Sequence, residues 1–321
     1  MTLAAFPLQT IPMLSLFFCN ATAHPSTLNL KYSNRQKGRS EGRKLAISKY
    51  MTAIGLVIML VVGFGIGFVA SPILMPPSTA ADPVWDNIVA TGVIRAGTDP
   101  SWPPYESLDE TGKIVGFEVD VADAIAEKLG LTIEWQSVGF DTVIPSIQAK
   151  TLDLGVSGFS VTSDRLEVVQ FTMPHSITRG QVIMLESKRD QLGITMVDSL
   201  ADLKTLGVTV GTQTGTTEQA ELNDAGVDNR PFNDFGGAIT DMASANPSVD
   251  AVYAETPITS SWIAQYQAQG KNIVVIYDIP YYPVAFIVNK DAHTFVAKID
   301  GALADIIASG QLDELRAKWD A

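Results

Sequence analysis

From residue 92 onward the chain alternates short apolar runs with amphipathic stretches. "GVIRAGTD" (92–99) predicts a strand ending in a turn. In "IVGFEVDVADAIAEKLG" a short strand gives way to a helix. Its apolar positions are Val121, Ala124, Ile125 and Leu129, and Gly130 closes it as a C-cap. "LTIEWQSV" alternates like a strand, "DTVIPSIQAKT" reads as helical, "LDLGVSGFSV" as a strand and "SDRLEVVQF" as a brief helix. This β-α-β-α order predicts a parallel sheet wrapped by helices.

A second set follows the same order. "GVTVGTQTG" predicts a strand, "TTEQAELNDAG" a helix and "VDAVYAE" a strand. "TPITSSWIAQYQAQG" then predicts a helix, and "NIVVIYD" and "PVAFIVNK" strands. The helix "AHTFVAKIDGALADIIASG" and the turn-helix "QLDELRAKW" close the chain. Two similar α/β units with a long C-terminal return predict two lobes connected by two crossings. Residues 84–186 plus 284–321 are expected to form lobe 1, and 187–283 lobe 2. Ligands of such sheets sit beyond the carboxyl ends of the strands. The polar residues Asp99, Gly158 to Ser160, Thr214 to Thr217 and Glu255 fall at those ends.

Before the lobes the pattern changes. Residues 1–52 form an N-terminal segment whose second half is strongly basic. Within residues 53–72 the run "AIGLVIMLVVGFGIGFVA" carries no charge and is about long enough to span a bilayer. Basic residues on its N-terminal flank keep that flank in the cytoplasm and send the rest outside. The span is long for a cleavable signal, usually about 7–15 apolar residues. An uncleaved membrane anchor is therefore expected, with residues 73–83 as a linker. If the segment is cut near "STAAD", the protein is secreted or periplasmic.

Charge narrows the partners. The 321 residues carry a formal −13, but residues 1–81 hold 7 of the 22 Lys+Arg and one acid, Glu41. The remainder combines 15 basic with 34 acidic residues. Such a body repels phosphate backbones, so nucleic acid is not an expected partner. Cys19 is the only cysteine, and His24, His175 and His293 have no second ligand at metal spacing. Neither a metal site nor a cofactor is expected.

Arg165 stands in the first turn of its predicted helix, where its charge opposes the helix dipole. A guanidinium fork can grip a carboxylate, with donors from Ser160 and the backbone at Gly158 to Thr162. The alternative is a surface salt bridge to Asp164 or Glu167. In "TQTGTTEQ" a glycine turn meets hydroxyls at a helix start. Thr216 and Gln219 fit a capping box, and free N–H groups there attract anions; an ordinary capped helix is the competing reading. Glu255 ends an apolar strand, placed either to hold an ammonium in a cleft or simply to be solvated. Trp102 and Phe140 sit in "DPSWPPY" and "SVGFDT", predicted loops where an aromatic lines a site or packs in the core. No Ser–His–Asp, Cys–His, HExxH or GxxxxGK[ST] arrangement appears, so nothing favours catalysis.

Taken together, "IRAGTDPSWPPYES", "GKIVGFEVDVADAIAEKLG", "FDTVIPSIQAKTLDLGVSGFSVTSDR", "VTVGTQTGTTEQ", "DAVYAETP" and "ASGQLDELRAKW" resemble the polar amino-acid family of extracytoplasmic solute-binding proteins of ABC transporters. The resemblance implies an α/β, periplasmic-binding-protein-like fold. Two lobes would be joined by a two-strand hinge, with the ligand cleft between them. It implies a monomer that closes on a free amino acid or similar small zwitterion and presents it to an ABC permease in the membrane. Arg165 would clamp the α-carboxylate. Gly158 and Ser160 would supply backbone and hydroxyl contacts, and Thr216 and Thr217 a second carboxylate contact. Glu255, where the family usually has Asp, would take the α-ammonium. Trp102 and Phe140 would sandwich the ligand side chain, and Asp99 would reach its polar end. His175 stands in "FTMPH" where the family usually has tyrosine, a change expected to affect packing. One arginine against Asp99 and Glu255, with Gln213 at the rim, favours a neutral polar or basic side chain. A competing reading is a cyclohexadienyl or arogenate dehydratase-like enzyme on the same fold, with Glu255 as general acid.

Overall fold

A computed structural model describes residues 82–256, 258–279 and 282–321. The expected basic segment (1–52) and apolar segment (53–72) lie outside the described residues, as does Cys19. Among the described residues no helix is long and apolar enough to cross a membrane.

The first lobe starts with α1 (Pro83–Thr91), β1 (Val93–Thr98), β2 (Ser101–Trp102), β3 (Glu106–Leu108), β4 (Ile114–Val115) and α2 (Phe117–Leu129). It continues through β5 (Thr132–Ser137), α3 (Phe140–Gln148), β6 (Leu154–Gly155), α4 (Ser163–Val168) and β7 (Val169–Phe171). After β8 (Ser176–Thr178) come β9 (Gly180–Leu185), α5 (Glu186–Leu192), α6 (Leu200–Thr205), β10 (Val210–Gln213), α7 (Thr217–Ala225) and β11 (Asn229–Phe232). Then follow α8 (Phe235–Met242), β12 (Ala251–Glu255), α9 (Ile258–Ala268) and β13 (Ile273–Asp278). The return runs through β14 (Tyr282–Val284), β15 (Ile287–Asn289), α10 (His293–Ala308) and α11 (Gln311–Trp319).

Two five-stranded sheets result, ordered β5-β1-β6-β15-β7 and β11-β10-β12-β9-β13. Each is mixed rather than purely parallel, which corrects the expectation. Four of the five strands run in one direction, and the fourth in order, β15 or β9, runs against both its neighbours. The reason is topological. β15 and β9 are the strands by which the chain enters each lobe from the other, so they run opposite to the strands of the β-α-β units. β9 lies in the second sheet, although residues up to 186 were expected in lobe 1. The apolar run "PVAFIVNK" is not one strand but two, β14 and β15, because the chain changes sheets within it. β14 pairs antiparallel with β8, so the two crossings form a two-stranded link between the lobes.

Burial explains why these segments hold their form. The interior positions of β12 and β9 are almost all inaccessible, as expected for strands covered on both faces. α2 buries Phe117, Val121 and Ile125, and Gly130 closes it with left-handed φ 70. Asp82, expected in the linker, belongs to the folded body. One carboxylate oxygen caps α1 by accepting from Trp85 N–H (3.0 Å). The other accepts from the N–H groups of Thr294 (2.8 Å) and Phe295 (3.1 Å) at the start of α10.

Candidate functional site

The parallel strands of both sheets end facing one another, and their following loops build one pocket of ≈ 350 Å³. Asp99, Trp102, Phe140, Gly158, Ser160, Arg165, Thr216, Thr217 and Glu255 all line it, so every residue singled out from the sequence comes to the same place.

From the first lobe, Asp99 follows β1, with its backbone N–H donating to Ser157 Oγ (3.1 Å). Trp102 ends β2 and is buried against Gly158. A Cβ at Gly158 would come within 2.2 Å of the indole, and φ is 59, so only glycine fits this turn. The Gly158 N–H donates to Glu118 Oε2 (3.0 Å), and Glu118 Oε1 meets His175 Nε2 at 2.8 Å. His175 therefore reaches beyond packing: through Glu118 it braces the pocket's backbone. Phe140 is the first residue of α3 rather than a loop residue, and it stacks on Phe159 at 4.8 Å.

Arg165 is 9% exposed. Its backbone N–H takes the Thr162 side-chain cap at 3.3 Å. The guanidinium lies 5.5 and 5.4 Å from the centroids of Phe140 and Phe159. It donates to Ser160 C=O (3.0 Å) and, across the cleft, to Gly215 C=O (3.4 Å). Neither Asp164 nor Glu167 pairs with it. An arginine this deep, held only by carbonyls, retains unused capacity for an anion.

From the second lobe, Thr216 caps α7, its Oγ1 accepting from Gln219 N–H at 3.3 Å. The reciprocal bond of the expected capping box goes one residue earlier: Gln219 Oε1 accepts from Gly215 N–H (2.8 Å). Thr217 and Glu218 begin the helix, and Glu255 ends β12. Glu255 Oε1 accepts from Ser160 Oγ across the cleft (2.6 Å), and Asp99 Oδ2 accepts from Gln213 Nε2 (2.7 Å). The lobes thus touch through the residues that line the pocket.

Burial decides the charges. It pushes the Asp99 carboxyl up, while hydrogen bonds from Ser101, Gln213 and the Phe140 N–H pull it back. Glu255 is driven well above the ordinary range by burial and then by the charge of Glu218. Burial also raises Glu218, to about 7, with Glu221 adding to the effect and Arg165 opposing it. Ser101, Ser157, Glu218 and Phe235 line the pocket as well. Sequence reasoning passed over them. An acid in a helix's first turn normally complements the dipole at the surface, so Glu218 carried no sign of its burial.

Residues 94–320 match the family model for bacterial extracellular solute-binding proteins, family 3. The chain belongs to that family. Among its relatives, the ABC transporter arginine-binding protein 1 of Escherichia coli (strain K12) is 27% identical over 230 residues, covering 70% of this chain and 90% of that protein. An ancestral arginine-binding protein bound to arginine has 30% identity and a TM-score of 0.64, covering 72% of this chain and 99% of its own. AncCDT-1, an ancestral amino acid-binding protein and a precursor of cyclohexadienyl dehydratase, has 26% identity and a TM-score of 0.63, covering 73% and 98%. The two-lobed α/β architecture is the one this family shares.

Proposed function

We propose that this protein is the extracytoplasmic receptor of an ABC importer and that its lobes close on a free amino acid with a basic or neutral polar side chain. One observation carries the reading. The first lobe brings a buried guanidinium and the second lobe buried carboxylates to the lining of a single small pocket, matching the two charges of a zwitterion. Arg165 holds the α-carboxylate, assisted by the backbone at Gly158 to Thr162 and by the start of α7 at Thr216 and Thr217. Glu255 and Ser160 hold the α-ammonium. Trp102, Phe140 and Phe235 wall the side chain, and Asp99 with Gln213 meets its far end. With one cation against Asp99, Glu218 and Glu255, a cationic side chain balances the pocket best. The arginine-binding relatives support the same choice.

An ABC permease receives the ligand, the receptor acts as a monomer, and residues 53–72 tether it to the membrane. A thermal-shift screen of the twenty amino acids tests this reading. A ligand at about a hundred times its dissociation constant stabilises by ~2.7 kcal/mol. L-Arginine is expected among the largest shifts, and no shift from any amino acid refutes the proposal.

A second reading rests on the raised Glu255. A buried carboxyl that keeps its proton is suited to general acid catalysis, as a cyclohexadienyl or arogenate dehydratase requires. Incubation with prephenate or arogenate distinguishes the two, because a binding protein yields no aromatic product.

A further inference from the structure

Glu218 and Glu255 come from different elements, α7 and β12, yet both line the same pocket, and the charge of Glu218 acts on Glu255. They are 2% and 5% exposed. Glu218 Oε1 is buried and meets no protein donor among the described residues. Two carboxyl groups buried in one pocket repel strongly when both ionise, since little solvent screens them; one proton between them relieves it.

The groups facing this pair do not change that. Arg165, from α4, is a cation acting on both acids, and its fork is already turned to the carbonyls of Ser160 and Gly215. Ser160 donates one hydrogen bond to Glu255. Glu221, one turn further along α7, adds negative charge. It is held by the hydroxyls of Tyr253 from β12 (2.5 Å) and Tyr282 from β14. Both phenols are raised, first by burial, and so remain neutral donors. Asp99 adds a further carboxylate to the lining of the pocket.

An entering amino acid alters the balance. Its carboxylate takes up the charge of Arg165, and its ammonium brings a cation with three donors to the carboxyl pair. The geometry points to Glu218 and Glu255 sharing one proton in the ligand-free protein, which the ligand's ammonium expels on binding. Glu218 thereby becomes a second ammonium-holding carboxylate, and uptake from solution becomes linked to pH. The inference rests on the amino-acid reading given above. The step forms and breaks no covalent bond apart from the O–H: the proton leaves to water and the N–H donors replace it.

Infrared difference spectroscopy and calorimetry on the full chain in detergent test it, with L-arginine as probe. Besides the constant band of Glu106, which burial keeps neutral in β3, the ligand-free protein near pH 6 is expected to show a second protonated-carboxyl C=O band that is lost in Glu218→Gln and lost from the wild type on adding L-arginine. Titrations in buffers of different ionisation heat should show close to one proton released. Below neutrality the affinity should fall about tenfold per pH unit, as one-proton linkage requires. In Glu218→Gln both the release and the slope should disappear. A ligand-free protein without the second band overturns the inference, as does a second band that persists when L-arginine binds or binding with no proton exchange. The second band present, with no amino acid binding at all, confirms the shared proton and overturns the amino-acid reading instead.

Discussion

Each lobe buries a pair of glutamates, and the two pairs have opposite fates. In the first lobe Glu106 and Glu118 lie behind Trp102, both wholly inaccessible. Their partner is built in: His175 Nε2 sits 2.8 Å from Glu118 Oε1. Although burial opposes it, His175 holds Glu118 below the ordinary carboxylate range. Glu106, raised by burial and then by the charge of Glu118, takes the neutral role. In the second lobe Glu218 and Glu255 have no such resident partner, only the more distant charge of Arg165. The first pair is closed and braces the backbone at Gly158; the second is open to the pocket. A buried acid whose side-chain partner comes from the same fold is structural, whereas one lacking such a partner is suited to receive one from a ligand.

Removing the built-in partner is the harshest test of this contrast. His175→Ala leaves the buried Glu118 without its 2.8 Å side-chain partner and should cost about 3 kcal/mol or more of stability, the scale of a buried charged group left unsatisfied. Chemical denaturation measures it, and a loss no greater than that of an average surface substitution contradicts the structural role. Arg165→Ala attacks the other side. It should cost ~2–5 kcal/mol of ligand affinity, roughly 30-fold or more at ~1.4 kcal/mol per decade. Unchanged affinity by calorimetry excludes Arg165 as the carboxylate clamp. Glu255→Gln should weaken amino acids by ~1.5–3 kcal/mol, the scale of a charged hydrogen bond, while leaving their desamino analogues nearly untouched. Equal losses for both would refute the ammonium role.

The pH dependence sharpens the comparison further. Glu218 has its folded pKa raised from 4.5 to about 7. Its proton is therefore held more tightly in the folded state, and the stability it contributes is fully present below pH 4.5. That contribution is lost as pH rises through about 7. The ligand-free protein should lose melting temperature across this window, and Glu218→Gln should flatten the decline. Glu118 is lowered instead, so its contribution is present above 4.5 and fades as pH falls through its folded value. The smallest expected effect is that of Thr216→Ala. It removes the cap of the helix carrying Glu218 and should cost about 1 kcal/mol of stability.

The amino-acid order determined the β-α-β runs, the turn at Gly158, the cap at Thr216 and the loops at the strand ends, because these depend on local periodicity and backbone sterics. Arg165 stood out for a local reason as well: a cation in a helix's first turn has no electrostatic cause to be there. The direction of β9 and β15, the splitting of "PVAFIVNK" and the burial of Glu218 were decided only when the two lobes came together. Strand direction depends on which lobe a chain segment arrives from. The ionisation of an acid depends on who else is buried beside it, and its neighbours here lie tens of residues away. Glu218 is an unremarked first-turn acid until β12 places Glu255 against it and the closing lobes remove the water from both.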